Sequence, residues 1–334
     1  MGEKDLIALE QYDITVLRAG KGREAMLCET DKGLMLLKEY SGSKERAEAE
    51  AWLLDKLSVH CGTDCYMRNK EGGVVTVLPD NRSYILKRWT DGREVDLKNT
   101  GELLMTVRAL AKLHLNMNEV EKKAEEEASL TCFLTEGRCF TDDICRHHKE
   151  LKHVRSYIRG KRRKSDFEMK VLECFNMFYG QSERLLLQVE SEYVNGGKKD
   201  FLVNKRLLCH GNYNQHNILL NDKNICITNF DKACYNLQIT DLYLLMRKCL
   251  EKQNWNSEQG IGMLLEYDRI KPVSREEREV LFILFLYPEK FWKIVNHYYN
   301  GNKTWVSQKS ISKLQALMEQ ERERQKFLDR LQRL

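Results

Sequence analysis

The hydrophobic period changes once along this chain, and that change restricts its fold more than any other feature. Up to Trp89 the apolar spacing is that of strands. Ile14, Val16 and Leu17 lead into a glycine-containing turn over 19–23, and strand-like runs follow at 25–30 and 34–40, split by Asp31, Lys32 and Gly33. From Ser43 the spacing turns helical, with a stripe through Ala47, Ala51, Leu54 and Leu57. Residues 74–78 and 83–89 read as two more strands, joined by Pro79, Asp80 and Asn81. Beyond a linker turn at 90–93 the pattern is helical over 101–114, 146–163, 165–190 and from 240 to the end. The charged stretch 118–128 reads as exposed and 192–199 as a loop. One hairpin interrupts the helices, with strands at 217–220 and 225–230 around residues 221–224. Strands first and helices after indicate an α+β architecture rather than alternating α/β. The length of 334 residues leaves room for two lobes, expected at 1–89 and 90–334.

Composition narrows the function. Hydrophobic residues make up 42% and charged residues 31%, enough for a sizeable core. The net charge of +5 is a weak bias, unlike the basic excess of a dedicated nucleic-acid binder. The longest apolar run, 280–287, is far shorter than the roughly 20 residues a membrane helix needs. The start, MGEKDLIALE, lacks a basic segment followed by an apolar one, so synthesis in the cytoplasm is expected. The eleven scattered cysteines contain no C-x-x-C and are expected as reduced thiols, mostly in the core. Cys139, Cys145, His147 and His148 match no standard zinc spacing.

The chemistry concentrates in CHGNYNQHNILLNDKNICITNFDKA, residues 209–233. Oxygen-bearing side chains stand at both ends of a hairpin, an arrangement that can hold Mg²⁺ and a phosphate chain. The segment resembles the aminoglycoside and choline kinase superfamily, a branch of the protein-kinase-like fold. That family's catalytic loop reads H-G-D-x-x-x-x-N and its metal motif D-[FWY]-[DE]. His210, Gly211 and Asn217 match the first, and Phe230 and Asp231 the second. YILKRWTDGRE (84–94), ALAKLH (109–114), HHKELKHVRSYIRGKRRKSDFE (147–168) and TDLYLLMRK (240–248) look like the CotS-type spore-coat proteins of endospore-forming bacteria. The resemblance covers nearly the whole chain. It implies a bilobal kinase-like fold with a small β-rich lobe and a large helical lobe, ATP and Mg²⁺ as cofactors, and other spore-coat proteins as partners in the coat.

Two departures stand out. The family's catalytic Asp falls at Asn212 and its first metal Asp at Asn229. An amide cannot take the proton of a substrate hydroxyl, and a lost general base typically costs about 10²- to 10⁴-fold. An amide also brings no negative charge to a hard dication. Asp231, two residues along the same extended segment, could restore metal binding in part; Asn217, Asn229 and Asp231 are the expected metal-facing residues. In the small lobe the resemblance makes Lys38 the phosphate-binding lysine and Glu50 its helix partner, with Glu48 the alternative. The same resemblance makes His210 a brace for the catalytic loop and Asp241 an anchor for it, while His216 is expected at the surface. The basic run 149–164 reads as a solvated helix face or a site for an anionic partner.

Three functions fit this pattern: a catalytically degenerate kinase-like coat component, an active small-molecule phosphotransferase, and a nucleotide-binding scaffold without turnover.

Overall fold

The computed structural model describes residues 3–22, 25–127, 130–133, 139–222, 224–300 and 308–334. Residues group into two compact units: 1–137 with 207–235 and 266–271, and 138–206 with 236–265 and 272–334. Each is considered in turn.

The first unit opens with helix α1 (Glu3–Leu9), then strands β1 (Val16–Lys21), β2 (Met26–Thr30) and β3 (Gly33–Glu39), helix α2 (Lys44–Ser58), and strands β4 (Gly62–Thr63), β5 (Val75–Val77), β6 (Ser83–Arg88) and β7 (Arg93–Glu94). Gly20 lies within β1 rather than in a turn, and Arg23 falls outside the described residues. Five strands form one antiparallel sheet in the order β1-β2-β3-β6-β5. Alternation divides its faces. Met35, Leu37, Tyr84 and Leu86 join Ala8, Leu9 and Tyr12 in an apolar core. Leu36, Lys38, Ile85 and Lys87 point the other way, because β3 and β6 pair Leu36 with Lys87 and Lys38 with Ile85. Ser43 caps α2, its side chain accepting from the Arg46 N–H.

Helix α3 (Thr100–Glu127) runs unbroken through the stretch expected to be merely charged surface. Strands β8 (Leu207–Cys209), β9 (Ile218–Asn221) and β10 (Asn224–Ile227) follow, and β11 (Cys234–Asn236) pairs with β8. The β9–β10 hairpin sits in a second sheet, ordered β4-β10-β9-β7. This ladder, with the packing of α2 on α3, carries the first unit across the lobe boundary expected after Trp89.

The second unit holds α4 (Phe140–Gly160), α5 (Asp166–Val189), α6 (Lys199–Asn204), α7 (Ile239–Lys252), α8 (Ser257–Asp268, whose last turn belongs to the first unit), α9 (Arg275–Leu286), α10 (Glu289–Asn300) and α11 (Gln308–Leu331). A π-helical turn (Glu190–Val194) takes the first three residues of the expected 192–199 loop and α6 begins at its last, with bends and turns over 195–198 between them. Pro288 separates α9 from α10, since it cannot continue a helix. The core is aromatic: Phe167, Phe175 and Phe178 of α5 pack with Phe291 of α10 and with Leu314 and Leu317 of α11. Asp241 is fully buried in the first turn of α7. All eleven cysteines are free thiols. Among the described residues no helix is long and apolar enough to cross a membrane.

Candidate functional site: a cation-lined cleft beside an amide-rich hairpin

The hairpin segment of the first unit is held by backbone-directed side chains. His210 is fully buried; its Nε2–H donates to the Thr228 carbonyl at 3.0 Å and its Nδ1 accepts from the Asn212 N–H at 3.2 Å. Both ring nitrogens are thereby engaged and the imidazole braces the loop. Gly211 has φ +75°, and a Cβ there would lie 1.9 Å from the Lys232 carbonyl oxygen. Only glycine lets the two chain segments approach this closely. Tyr213 donates its hydroxyl to the Thr106 carbonyl, fixing the loop to α3.

The side chain at the expected base position is already occupied. Asn212 Oδ1 accepts from Asn214 Nδ2 at 3.0 Å, and the Asn212 carbonyl accepts from Asn214 Nδ2 and Asn217 Nδ2. Asn229 has left-handed backbone angles (φ 61°, ψ 65°), a conformation asparagine tolerates. Its Nδ2 donates to Asn217 Oδ1 at 2.9 Å. Asp231 lies beyond, on a short 3-10 turn (Phe230–Lys232), with Lys38 Nζ 3.7 Å from its carboxylate.

The charged residues lie differently from the expected pairing. Lys38 stands beside Asp231, and Glu50 pairs instead with Lys87 of β6, Nζ to Oε1 at 2.9 Å. Lys87 Nζ also reaches Asp64 Oδ2 at 3.2 Å and sits 4.4 Å from the centre of the Tyr66 ring. All three charged groups are buried. Burial works against the Lys87 ammonium, but Asp64 and Glu50 outweigh it and hold its pKa well above the ordinary lysine value. Burial likewise pushes the Asp64 carboxyl up, with Lys87 and the Asn229 N–H acting against that rise. Asp64 Oδ2 accepts that N–H at 3.1 Å, so the cluster reaches the hairpin loop directly. Glu48, the alternative partner, pairs with Arg68 on the outside of α2.

Arg46 forms a second tie from α2. Its guanidinium donates to the carbonyls of Asp231, Ala233 and Cys132 and lies 4.4 Å from the Phe133 ring centre. Among the described residues lies a cavity of about 270 Å³ whose charged lining sets Lys38, Arg46, Lys87 and Lys232 against Glu39, Glu50 and Asp231, with Asn229 beside them. Sequence reasoning did not single out Lys87, Asp64 or Arg46. The signal for Lys87 was a lysine inside an otherwise apolar strand, Tyr84-Ile85-Leu86. His216 is half-exposed, with Nδ1 2.8 Å from Glu94.

Does this donor set suit Mg²⁺? The ion favours carboxylates and phosphate oxygens in strict octahedral geometry. Of the three expected residues, Asn217 and Asn229 are hydrogen-bonded to each other, and the carboxylate of Asp231 faces a lysine. Among the described residues no three His, Cys, Asp or Glu side chains converge on a metal position. The residues present do not fit a tightly held divalent ion.

Comparison with known proteins bears on the family and the fold. A family model described as "Spore coat putative kinase YutH" matches residues 6–331. The chain belongs to this spore-coat family. Spore coat protein S of Bacillus subtilis (strain 168) is 32% identical to this YutH-family chain over 102 residues, 30% of the chain and 29% of the relative's length. The fold is that of the aminoglycoside phosphotransferases. A crystal structure of such an enzyme from Alicyclobacillus acidocaldarius subsp. acidocaldarius DSM 446 superposes with a TM-score of 0.83 at 16% identity, over 98% of this chain and 95% of that one. Amicoumacin kinase hAmiN, solved in complex with AMP-PNP, Ca²⁺ and Ami, superposes with a TM-score of 0.60 at 16% identity over 99% and 94%.

Proposed function

We propose that this YutH-family protein is a catalytically impaired kinase that serves the spore coat as a structural or interaction component and keeps a nucleotide cleft. One observation carries the impairment: the side chain at the base position is the Asn212 amide, whose oxygen accepts from Asn214. An amide in that position has no basicity with which to take a hydroxyl proton. The nucleotide reading draws on the cation-lined cavity and on the family fold, whose neighbour hAmiN was solved with AMP-PNP. Coat proteins are the proposed partners, in keeping with the family and with the likeness to coat protein S.

The test is turnover. The unaltered chain is incubated with ATP, Mg²⁺ and a panel of amino and hydroxyl acceptors, and ADP release is followed. No release above background is expected. Asn212→Asp combined with Asn229→Asp, which returns both carboxylates, is expected to raise turnover by about 10²-fold or more. Phosphorylation of an acceptor by the unaltered chain overturns the proposal. It would favour an active phosphotransferase in which positioning alone carries a loose transition state.

A further inference from the structure

We propose that the cleft of the first unit holds a nucleoside triphosphate on its own lysine side chains, without a divalent ion. The inference rests on the nucleotide reading above and specifies how the phosphates are neutralised.

Three observations lead to it. First, at the notch where an ion would sit the two amides face each other: Asn229 Nδ2 donates to Asn217 Oδ1 at 2.9 Å, so an oxygen that could ligate a cation is turned to an N–H. Second, Asp231, the carboxylate expected to face an ion, has a cation of its own. Lys38 Nζ lies 3.7 Å from Asp231, and the two side chains are 30% and 43% exposed. Such a loose, hydrated pair is worth little, so a phosphate chain can draw the ammonium away from it. Third, the loop needs no bridging ion to stay in place. Lys87, bonded to Glu50 and Asp64, reaches the Asn229 N–H through Asp64 Oδ2, while Arg46 holds the Asp231 and Ala233 carbonyls.

The division of labour follows. In phosphoryl transfer the metal bridges the phosphates and meets charge that develops in the transition state. A protein that only retains the nucleotide has static charge to neutralise, and lysine ammonium groups bind phosphate as point charges. Lys38 on β3 and the exposed Lys232 beyond the loop both border the cavity and supply that charge.

Calorimetric titration of the full chain with ATP, once in EDTA and once in excess Mg²⁺, tests the proposal. The two dissociation constants are expected to agree within about threefold. Lys38→Met is expected to weaken binding about tenfold in both buffers, the effect of removing one charged contact. Asn229→Asp is expected to make binding Mg²⁺-stimulated by about tenfold, by adding a carboxylate to the notch. Binding that needs Mg²⁺ in the unaltered chain overturns the inference and leaves the nucleotide reading standing. Absence of binding in both buffers overturns both. Lys38→Met carries the test if Asn229→Asp does not fold, since Lys38 is partly exposed, and full ATP affinity in that variant overturns the lysine assignment.

Discussion

The two compact units arrange their interiors differently. The second, which also buries Glu168, Asp241 and Arg247, builds its main core from rings, Phe178 stacking on Phe291 at 4.9 Å and His147 on Trp292 at 3.4 Å. In the first, buried Lys87, Glu50 and Arg46 border a cavity, while buried Asp64, His210 and Asn217 bond to the hairpin loop. Ring burial is favourable in proportion to area. Buried ion pairs gain about as much from attraction as they lose in desolvation, and apolar replacements are often no less stable. Stability alone therefore does not account for the polar interior, whereas fixing a loop in one geometry does. Within that interior a second contrast appears. The charges sit on β6, α2 and the segment after β4 that carries Asp64, while the hairpin that would do chemistry presents amides. On the function proposed above, a phosphate-facing half of a kinase site would persist beside a disarmed catalytic half.

The largest expected effect tests the first contrast. Lys87→Met leaves Glu50 and Asp64 buried without their cation and should cost about 3–5 kcal/mol in urea unfolding. Adding Glu50→Gln and Asp64→Asn removes the stranded charges and should return most of that loss. If the triple variant is as unstable as the single one, the charged cluster is itself a stabilising core and the contrast fails. Phe178→Ala in the second unit should cost a similar amount through a cavity, with ATP affinity unchanged in the protein that remains folded.

Acid separates the units next. Burial first, and then the neighbouring Arg146 guanidinium, lower the His147 pKa from its usual value near 6.5 to about 4. The geometry agrees, since Arg146 donates to His147 Nε2 at 2.9 Å and that nitrogen must be unprotonated. Between these pH values the unfolded chain binds the proton and the folded chain does not. The stability from His147 is therefore complete above pH 6.5 and is lost as pH falls toward 4, by about 3 kcal/mol at most. His147→Gln should flatten the unfolding free energy over that window. An unchanged slope would mean that other groups of the aromatic unit carry its acid sensitivity.

Legibility in the sequence follows the same divide. Local signals sufficed for the five-strand sheet, for α2, and for the β9–β10 hairpin with its amides at 212, 217 and 229, because turns, alternation and motif spacing are written in adjacent residues. The family followed from those motifs. The pairing of Glu50 did not. Lys38 and Lys87 lie on the same face of the sheet, and which ammonium reaches α2 depends on the segment that brings in Asp64, 23 residues before Lys87. Arg46 was hidden for the same reason, its carbonyl acceptors at 231 and 233 being 185 and 187 residues away. α6 was missed because its six residues follow Gly196 and Gly197 and lack a side-chain cap.

The smallest effect sharpens the comparison furthest, because the same substitution can be made once in each unit. Ser43 caps α2 by accepting from the Arg46 N–H, and Ser165 caps α5 in a reciprocal box with Glu168. Loss of either hydroxyl should cost about 1 kcal/mol of stability. The consequences for ligand binding should differ. The first turn of α2 carries Arg46, and the next carries Glu50, so fraying after Ser43→Ala loosens both ties to the hairpin loop and should lower ATP affinity along with stability. Ser165→Ala frays a helix whose buried face is Phe167, Val171 and Phe175, and should lower stability alone. Equal loss of ATP affinity in the two variants would show that the cleft follows global stability, and that α2 is no more its support than any other helix.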